Sequence, residues 1–246
     1  MNIESLESHD HSKRTDHFIN IENYLMPKKP PKPHPLLSLV FIVSLLVVFI
    51  YADTSSNRTL MFGSALVIMF TVMAVLDGYF GMLRDTSVAS QKPYSYSRVQ
   101  LAWWTSIILA AIITIVSLGQ GIPTITGGLL VLLGISSATS ALARVSDISD
   151  RSNPTISSMA QDCTSEGFFY DILSDENGIN IHRLQTAIFN TVFGVWFVSF
   201  VYSKLGGNVT AANINLIMPD FDQNNLILLG VSSGTYAALK TTENKK

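Results

Sequence analysis

All sixteen Lys and Arg residues of this chain lie outside six apolar stretches, and fourteen of them fall in alternate connecting segments. The stretches cover residues 36–52, 59–76, 101–118, 125–143, 184–203 and 226–239, and none holds a Lys, Arg, Asp or Glu. Crossing about 30 Å of hydrocarbon takes about 20 helical residues, and in lipid only a helix or a closed barrel satisfies its own backbone. The pattern therefore predicts an all-α, polytopic transmembrane helical bundle of about six spans. Five stretches reach the required length with a residue or two added at each end. The sixth is short and spans only if its helix begins nearer Pro219, where proline suits a first turn. The alternative is five spans with a re-entrant sixth.

Basic residues also orient the bundle, because Lys and Arg accumulate in cytoplasmic loops. Lys13, Arg14, Lys28, Lys29 and Lys32 precede the first span, and Arg84, Lys92 and Arg98 follow the second. Arg144, Arg151 and Arg183 follow the fourth, and Lys240, Lys245 and Lys246 follow the sixth. Only Arg58 and Lys204 lie on the other side, so both termini are expected in the cytoplasm. A net charge of −2 argues against a nucleic-acid partner, since a duplex-binding face needs clustered cations to displace counterions. Cys163 is the only cysteine, which leaves no intramolecular disulfide and no thiolate metal cluster. The polar tail of residues 1–35 is far longer than the charged region of a signal peptide, and no small-residue cleavage site follows the first span. That span is expected to stay as an anchor.

Within this frame the chain divides into a cytoplasmic tail (1–35), a two-helix hairpin (36–80), a first two-helix repeat (94–145), a cytoplasmic loop (146–181), a second repeat (182–240) and a short tail (241–246). The first tail holds His9, His11 and His17 and a Pro- and Lys-rich run from Pro27 to Pro35, a composition expected to be solvated and disordered rather than metal-binding. The repeat is read from matched landmarks. Ser97-Arg98-Val99-Gln100 opens the third span and His182-Arg183-Leu184-Gln185 the fifth. From Pro123 and Pro219 the fourth and sixth spans align without a gap, setting Gly134-Ile135-Ser136-Ser137-Ala138-Thr139 against Gly230-Val231-Ser232-Ser233-Gly234-Thr235. Both units start inside, so they are parallel repeats related by an axis along the membrane normal.

The run Phe168-Phe169-Tyr170-Asp171-Ile172-Leu173-Ser174-Asp175, with Gly178, His182-Arg183-Leu184-Gln185 and Gly230-Val231-Ser232-Ser233-Gly234-Thr235-Tyr236, resembles a motif set of a family of bacterial multi-spanning inner-membrane proteins. The resemblance covers roughly the last 150 residues and leaves out the first two spans. It implies an inner-membrane location and no particular chemistry.

Two candidate sites emerge. Gly134 and Ala138, like Gly230 and Gly234, lie four apart on one helix face, the spacing that admits a close neighbouring backbone. Ser136 with Thr139 and Ser232 with Thr235 are three apart, and Ser137 and Ser233 fall just off the glycine face. These residues either pack the repeats together or line a hydroxyl-rich path at a pseudo-twofold or oligomer axis. Arg98 with Gln100, and Arg183 with Gln185, lie at the cytoplasmic interface, where guanidinium groups meet lipid phosphates or a partner. Trp103 and Trp104 sit one turn deeper, where an aromatic belt is expected. In the loop, Glu166 to Leu173 reads as a short interfacial helix and Asp175-Glu176-Asn177-Gly178 as an Asx-rich turn whose spacing is wrong for calcium. Asp220 and Asp222 are expected to cap the sixth helix, and Asn190 to bond a neighbouring helix.

No phosphate loop, zinc motif or Ser-His-Asp arrangement is present, and no ionisable side chain falls within a span, so neither an enzyme nor an ion-driven pump is expected. No cofactor or metal is implied. Two functions remain: an oligomeric channel-like or membrane-perturbing component with a Ser/Thr-lined path, or a membrane anchor whose tail and loop recruit a soluble partner. A bacterial defence or stress effector fits either. Glycine- and serine-rich packing faces favour a homo-oligomer.

Overall fold

The computed structural model describes residues 35–119, 121–154, 159, 161–175 and 178–240. The readings made of the 1–34 tail, its histidines included, and of 241–246 lie outside the described residues. Among the described residues seven α-helices form: α1 (Pro35–Thr54), α2 (Arg58–Phe80), α3 (Tyr96–Ser117), α4 (Gly127–Arg151), α5 (Phe168–Leu173), α6 (Ile181–Leu205) and α7 (Gln223–Lys240). One 3-10 turn, Ile214–Leu216, and a two-residue hairpin of β1 (Ser174–Asp175) with β2 (Gly178–Ile179) complete the described elements. The protein is an all-α bundle, and α1, α2, α3, α4 and α6 are each long and apolar enough to cross a membrane.

Helix boundaries follow local chemistry. Asn57 caps α2 by accepting the Leu60 N–H at 3.1 Å, Thr126 caps α4 through the Leu129 N–H at 3.4 Å, and Asn180 caps α6 through the His182 N–H at 2.8 Å. Helix α2 stops at Gly81, whose φ of +64° only glycine adopts cheaply and whose N–H returns to the Asp77 carbonyl. The observed helices overrun the uncharged stretches. Helix α4 continues eight residues beyond Ala143 to Arg151, carrying Asp147 and Asp150 with it.

Helix α1 packs on α2 and is apolar all round; only Ala52 is fully buried, and Leu36, Leu37, Val47 and Ile50 face outward. A rod like this suits lipid contact on most of its circumference. Beyond α2, the hairpins α3–α4 and α6–α7 form a four-helix group in which α3 lies beside α6 and α4 beside α7. The neighbours run in the same sense, as expected for two parallel hairpins. The core between them contains Trp104, Ile107 and Ile115 of α3, Leu129 and Leu132 of α4, Phe197 and Val201 of α6 and Leu229 of α7, with Phe62 of α2.

Helix α7 begins at Gln223 rather than near Pro219, and at 18 residues (about 27 Å) it is not among the five span-length apolar helices. The reason is that the preceding segment crosses the start of α4. Pro219 accepts a hydrogen bond from the Thr126 hydroxyl at 3.4 Å, and Asp220 Oδ1 accepts the Gly128 N–H at 3.1 Å. Asp220 thus caps the other hairpin's helix, while Asp222 alone caps α7, accepting the Asn224 N–H at 3.2 Å. Short as it is, α7 runs the height of the bundle beside α4: Asp220 meets Gly128 at one end, and Lys240 meets Ser146 and Asp147 at the other.

The expected belt tryptophans part ways. Trp104 is fully buried in the core and donates its indole N–H to Asn190 Oδ1 at 2.6 Å, whereas Trp103 is half-buried and donates to the Asn190 carbonyl at 3.2 Å. Asn190 bonds across helices as expected, its Nδ2 donating to the Tyr96 hydroxyl at 3.2 Å and to the Thr186 carbonyl at 2.8 Å. Asn190→Leu strips Trp104 and Tyr96 of that partner, and a loss of about 1–3 kcal/mol is expected. The check is the thermal midpoint in detergent with helical circular dichroism retained; an unchanged midpoint removes Asn190 as the tie between α3 and α6.

Candidate functional site

The Gly-x-Ser-Ser-x-Thr segments face each other along the α4–α7 seam. Ser136 and Ser233 are fully buried, and Thr139 and Ser232 nearly so. Most hydroxyls turn back onto their own helix: Thr139 donates to the Ile135 carbonyl at 2.8 Å, Ser232 to Leu228 at 2.9 Å and Thr235 to Val231 at 2.9 Å. Ser136 Oγ has no hydrogen-bond partner. Gly230 sits against Ile135, while Gly134, Ser137 and Gly234 lie on the exposed surface. Within one chain this seam is filled by packed side chains, and the exposed glycines of the motif, Gly134 and Gly234, lie away from it.

The four interface residues also separate. Gln100 is buried and donates its amide to Ser233 Oγ at 3.0 Å, linking α3 to α7, while its repeat counterpart Gln185 is exposed. Arg98 reaches the Met82 carbonyl and the Thr86 hydroxyl, both at 3.5 Å. Arg183 donates to the Ser174 carbonyl, and its guanidinium lies 5.4 Å from the centre of the Tyr236 ring. Both arginines are folded into the loops at this end of the bundle.

The densest chemistry lies in that loop layer. Lys240, the last residue of α7, is buried with its Nζ 3.6 Å from Asp85 Oδ2, 3.5 Å from Asp147 Oδ1 and 3.2 Å from Gln161 Oε1. Gln161 in turn donates to Asp147 Oδ1 at 2.9 Å. One ammonium therefore ties together the 81–95 connection, the extension of α4, the loop after it and the end of α7. Burial opposes the charge on Asp85, but the Lys240 ammonium and the Thr86 N–H together hold its carboxyl below the usual carboxylate range. Around this knot, Arg84 pairs with Asp77 at 3.3 Å and covers the Tyr94 ring at 3.5 Å, and Arg151 pairs with Asp162 at 3.2 Å. Burial works against the Asp162 charge as well, but the Val88 and Met159 N–H groups and Arg151 outweigh it and hold its pKa down.

Over the knot opens a polar recess of about 350 Å³ lined by Asp85, Tyr94, Cys163, Glu166, Tyr170, Asp171, Asp175, Arg183 and Lys240 among others. Asp171 organises its wall, accepting the Tyr94 N–H at 3.0 Å, the Ser165 hydroxyl at 2.6 Å and the Glu166 N–H at 3.0 Å. Helix α5 forms from the segment expected to be helical and lies on α3 and α6, with Ile172 buried and Phe168 edge-on to Tyr94 at 5.0 Å. The β1–β2 hairpin pairs Asp175 with Gly178, whose φ is +97°, at the ends of the expected Asx-rich turn; residues 176–177 lie outside the described residues. Burial pushes the Cys163 thiol up, and the carboxylates of Asp171, Glu166 and Asp162 add to that, so it stays a protonated, weakly nucleophilic thiol. Among the described residues no three His, Cys, Asp or Glu side chains come together to hold a metal ion.

Sequence reasoning missed Asp85, Asp147, Gln161 and Lys240 because they lie on four segments far apart in the chain. One signal was present. The buried stripe of α4 (Leu129, Leu132, Ser136, Thr139, Ala143) continues at helical spacing through Ser146, Asp147 and Asp150, which places carboxylates on the packed face. No protein-family model, curated protein or solved structure matches the chain.

Proposed function

We propose that the chain is a non-catalytic membrane anchor and recognition module that presents a preformed polar recess to a soluble partner. The supporting observation is the buried knot of Lys240, Asp85, Asp147 and Gln161, which fixes the floor of that recess from four separate segments. In this reading the loop end and both termini face the cytoplasm, as fourteen of sixteen basic residues favour, and the membrane is a bacterial inner membrane, as the motif resemblance favours. The two parallel hairpins arose by duplication of one helix pair, which the matched Arg-x-Gln, Pro and Gly-x-Ser-Ser-x-Thr landmarks support.

A photo-crosslinking residue at Tyr170, on the recess wall, is expected to capture a discrete soluble product in cells. The same residue at Val131, exposed on α4, is not. Glu166→Lys on the recess wall is expected to suppress the product. Equal yields from both positions defeat the recognition reading.

A second reading, an oligomeric conducting or membrane-perturbing assembly, is favoured by the outward placement of Gly134, Ser137 and Gly234, a small-residue face open to another copy. Its path would run between chains. Ion flux through reconstituted liposomes that vanishes in Ser137→Leu, on the outward face, supports it over the anchor; absence of flux from the unaltered protein rules it out.

A further inference from the structure

A second cavity, of about 410 Å³, lies between α2, α3 and α6 beneath α5. Its walls are mostly apolar, with Phe70, Met73, Trp103, Phe169 and Ile172 among them. Two polar atoms break that pattern. Gln100, 4% exposed, and Ser106, fully buried, both line the cavity, and Gln100 Oε1 and Ser106 Oγ have no hydrogen-bond partner. Asn190 also lines it, but its side chain is committed to Trp104, Tyr96 and Thr186. An orphaned buried polar group costs free energy that a ligand can recover. One water does not serve both atoms, because Gln100 and Ser106 lie about 9 Å apart along α3 and the wall is mostly apolar.

We propose that this cavity binds a hydroxyl-bearing amphiphile drawn from the bilayer, its chain lying against Phe70, Met73 and Trp103 and its hydroxyl bonded to the free end of the Gln100 amide. The outer edges of the cavity belong to α2 and α6, whose neighbouring side chains Val67, Ile188 and Val192 are exposed and apolar, so the route in leads from lipid. Gln100 is four residues into α3 and Ser106 ten, about 9 Å further along the axis, which sets the headgroup near the helix end and the chain toward its middle. A hydroxyl is the group that fits. Gln100 Nε2 is taken by Ser233 and the free end is Oε1, which only accepts, so the ligand must donate, as a hydroxyl does and an ether does not. The inference does not depend on the recess at the loop end and stands or falls apart from it.

The test uses the full chain in detergent micelles, with hexadecanol and methyl hexadecyl ether as probes of equal chain and different head. Native mass spectrometry is expected to show one alcohol per chain, bound roughly tenfold more tightly than the ether, the discrimination one satisfied buried hydrogen bond supplies. Gln100→Leu is expected to bring the two probes within about threefold. Ala187→Trp, which fills the cavity from α6, is expected to abolish both adducts while helical circular dichroism persists; if that variant does not fold, Ala74→Phe at the exposed edge takes its place. Equal affinity for alcohol and ether in the unaltered protein overturns the proposal, as does binding that survives the filled cavity.

Discussion

Lys240→Met is expected to destabilise the bundle by about 3–5 kcal/mol, because it leaves two carboxylates at a site built around one ammonium. Side-chain exposures of 3% for Lys240, 4% for Asp147 and 11% for Asp85 keep solvent from taking over that role. The loss should fall sharply when Asp147→Asn is added, since Gln161 already donates to that oxygen and one buried charge is gone. Lys240→Arg is not conservative here: a planar five-donor fork replaces a compact ammonium that three acceptors surround. The measurement is denaturation in mixed micelles followed by tryptophan fluorescence. A single Lys240→Met variant as stable as the parent would mean that the knot adds nothing. Acid probes the same contact from the other side. The Asp85 carboxyl titrates below its ordinary value, so its contribution is complete above about pH 4 and drains away as the pH drops through the lowered value.

Gly128→Ala is expected to cost about 3 kcal/mol, at the upper end of what overpacking usually does. A Cβ there would stand 2.5 Å from Asp220 Oδ1 and 2.8 Å from both the N and the O of Phe221. Two of those atoms are backbone, so the 219–222 crossing must move and the cap on α4 is lost with it. The comparison is Gly134→Ala, where nothing lies within 4 Å and the better helix former should be neutral or gain a few tenths of a kcal/mol. A midpoint unchanged by Gly128→Ala would show that the crossing yields cheaply. A clear loss at Gly134 would instead place another copy of the chain against that face.

The helices were legible because lipid imposes one demand, an uncharged run of sufficient length, and five runs met it plainly. Their ends were less so. Ala143 looked like the end of the fourth span because Arg144 follows, yet helix propensity and burial carry α4 on to Arg151. Pro219 looked like a helix start, but its neighbour Asp220 serves a different helix, and a sequence does not reveal which N–H a carboxylate will meet. The Ser and Thr motif was legible as a pattern; whether its members face a neighbour or the outside depends on rotation, which put Ser136 inward and Ser137 outward. The ionic knot was invisible for a plainer reason. Asp85, Asp147 and Lys240 each read as a solvated charge flanking a span, and only the return of the loops over the helix ends converts them into one buried cluster.

The crossing of residues 219–222 over the start of α4 has a consequence for how the molecule divides. Each hairpin closes part of its neighbour: the second supplies the acceptor for Gly128, and the first supplies Asp147 for Lys240. Cutting the chain within the 152–167 segment would therefore yield two fragments with unfinished ends, stable together and poor alone. Such a molecule lends itself to split-reporter experiments, in which the halves find one another only inside the same bilayer.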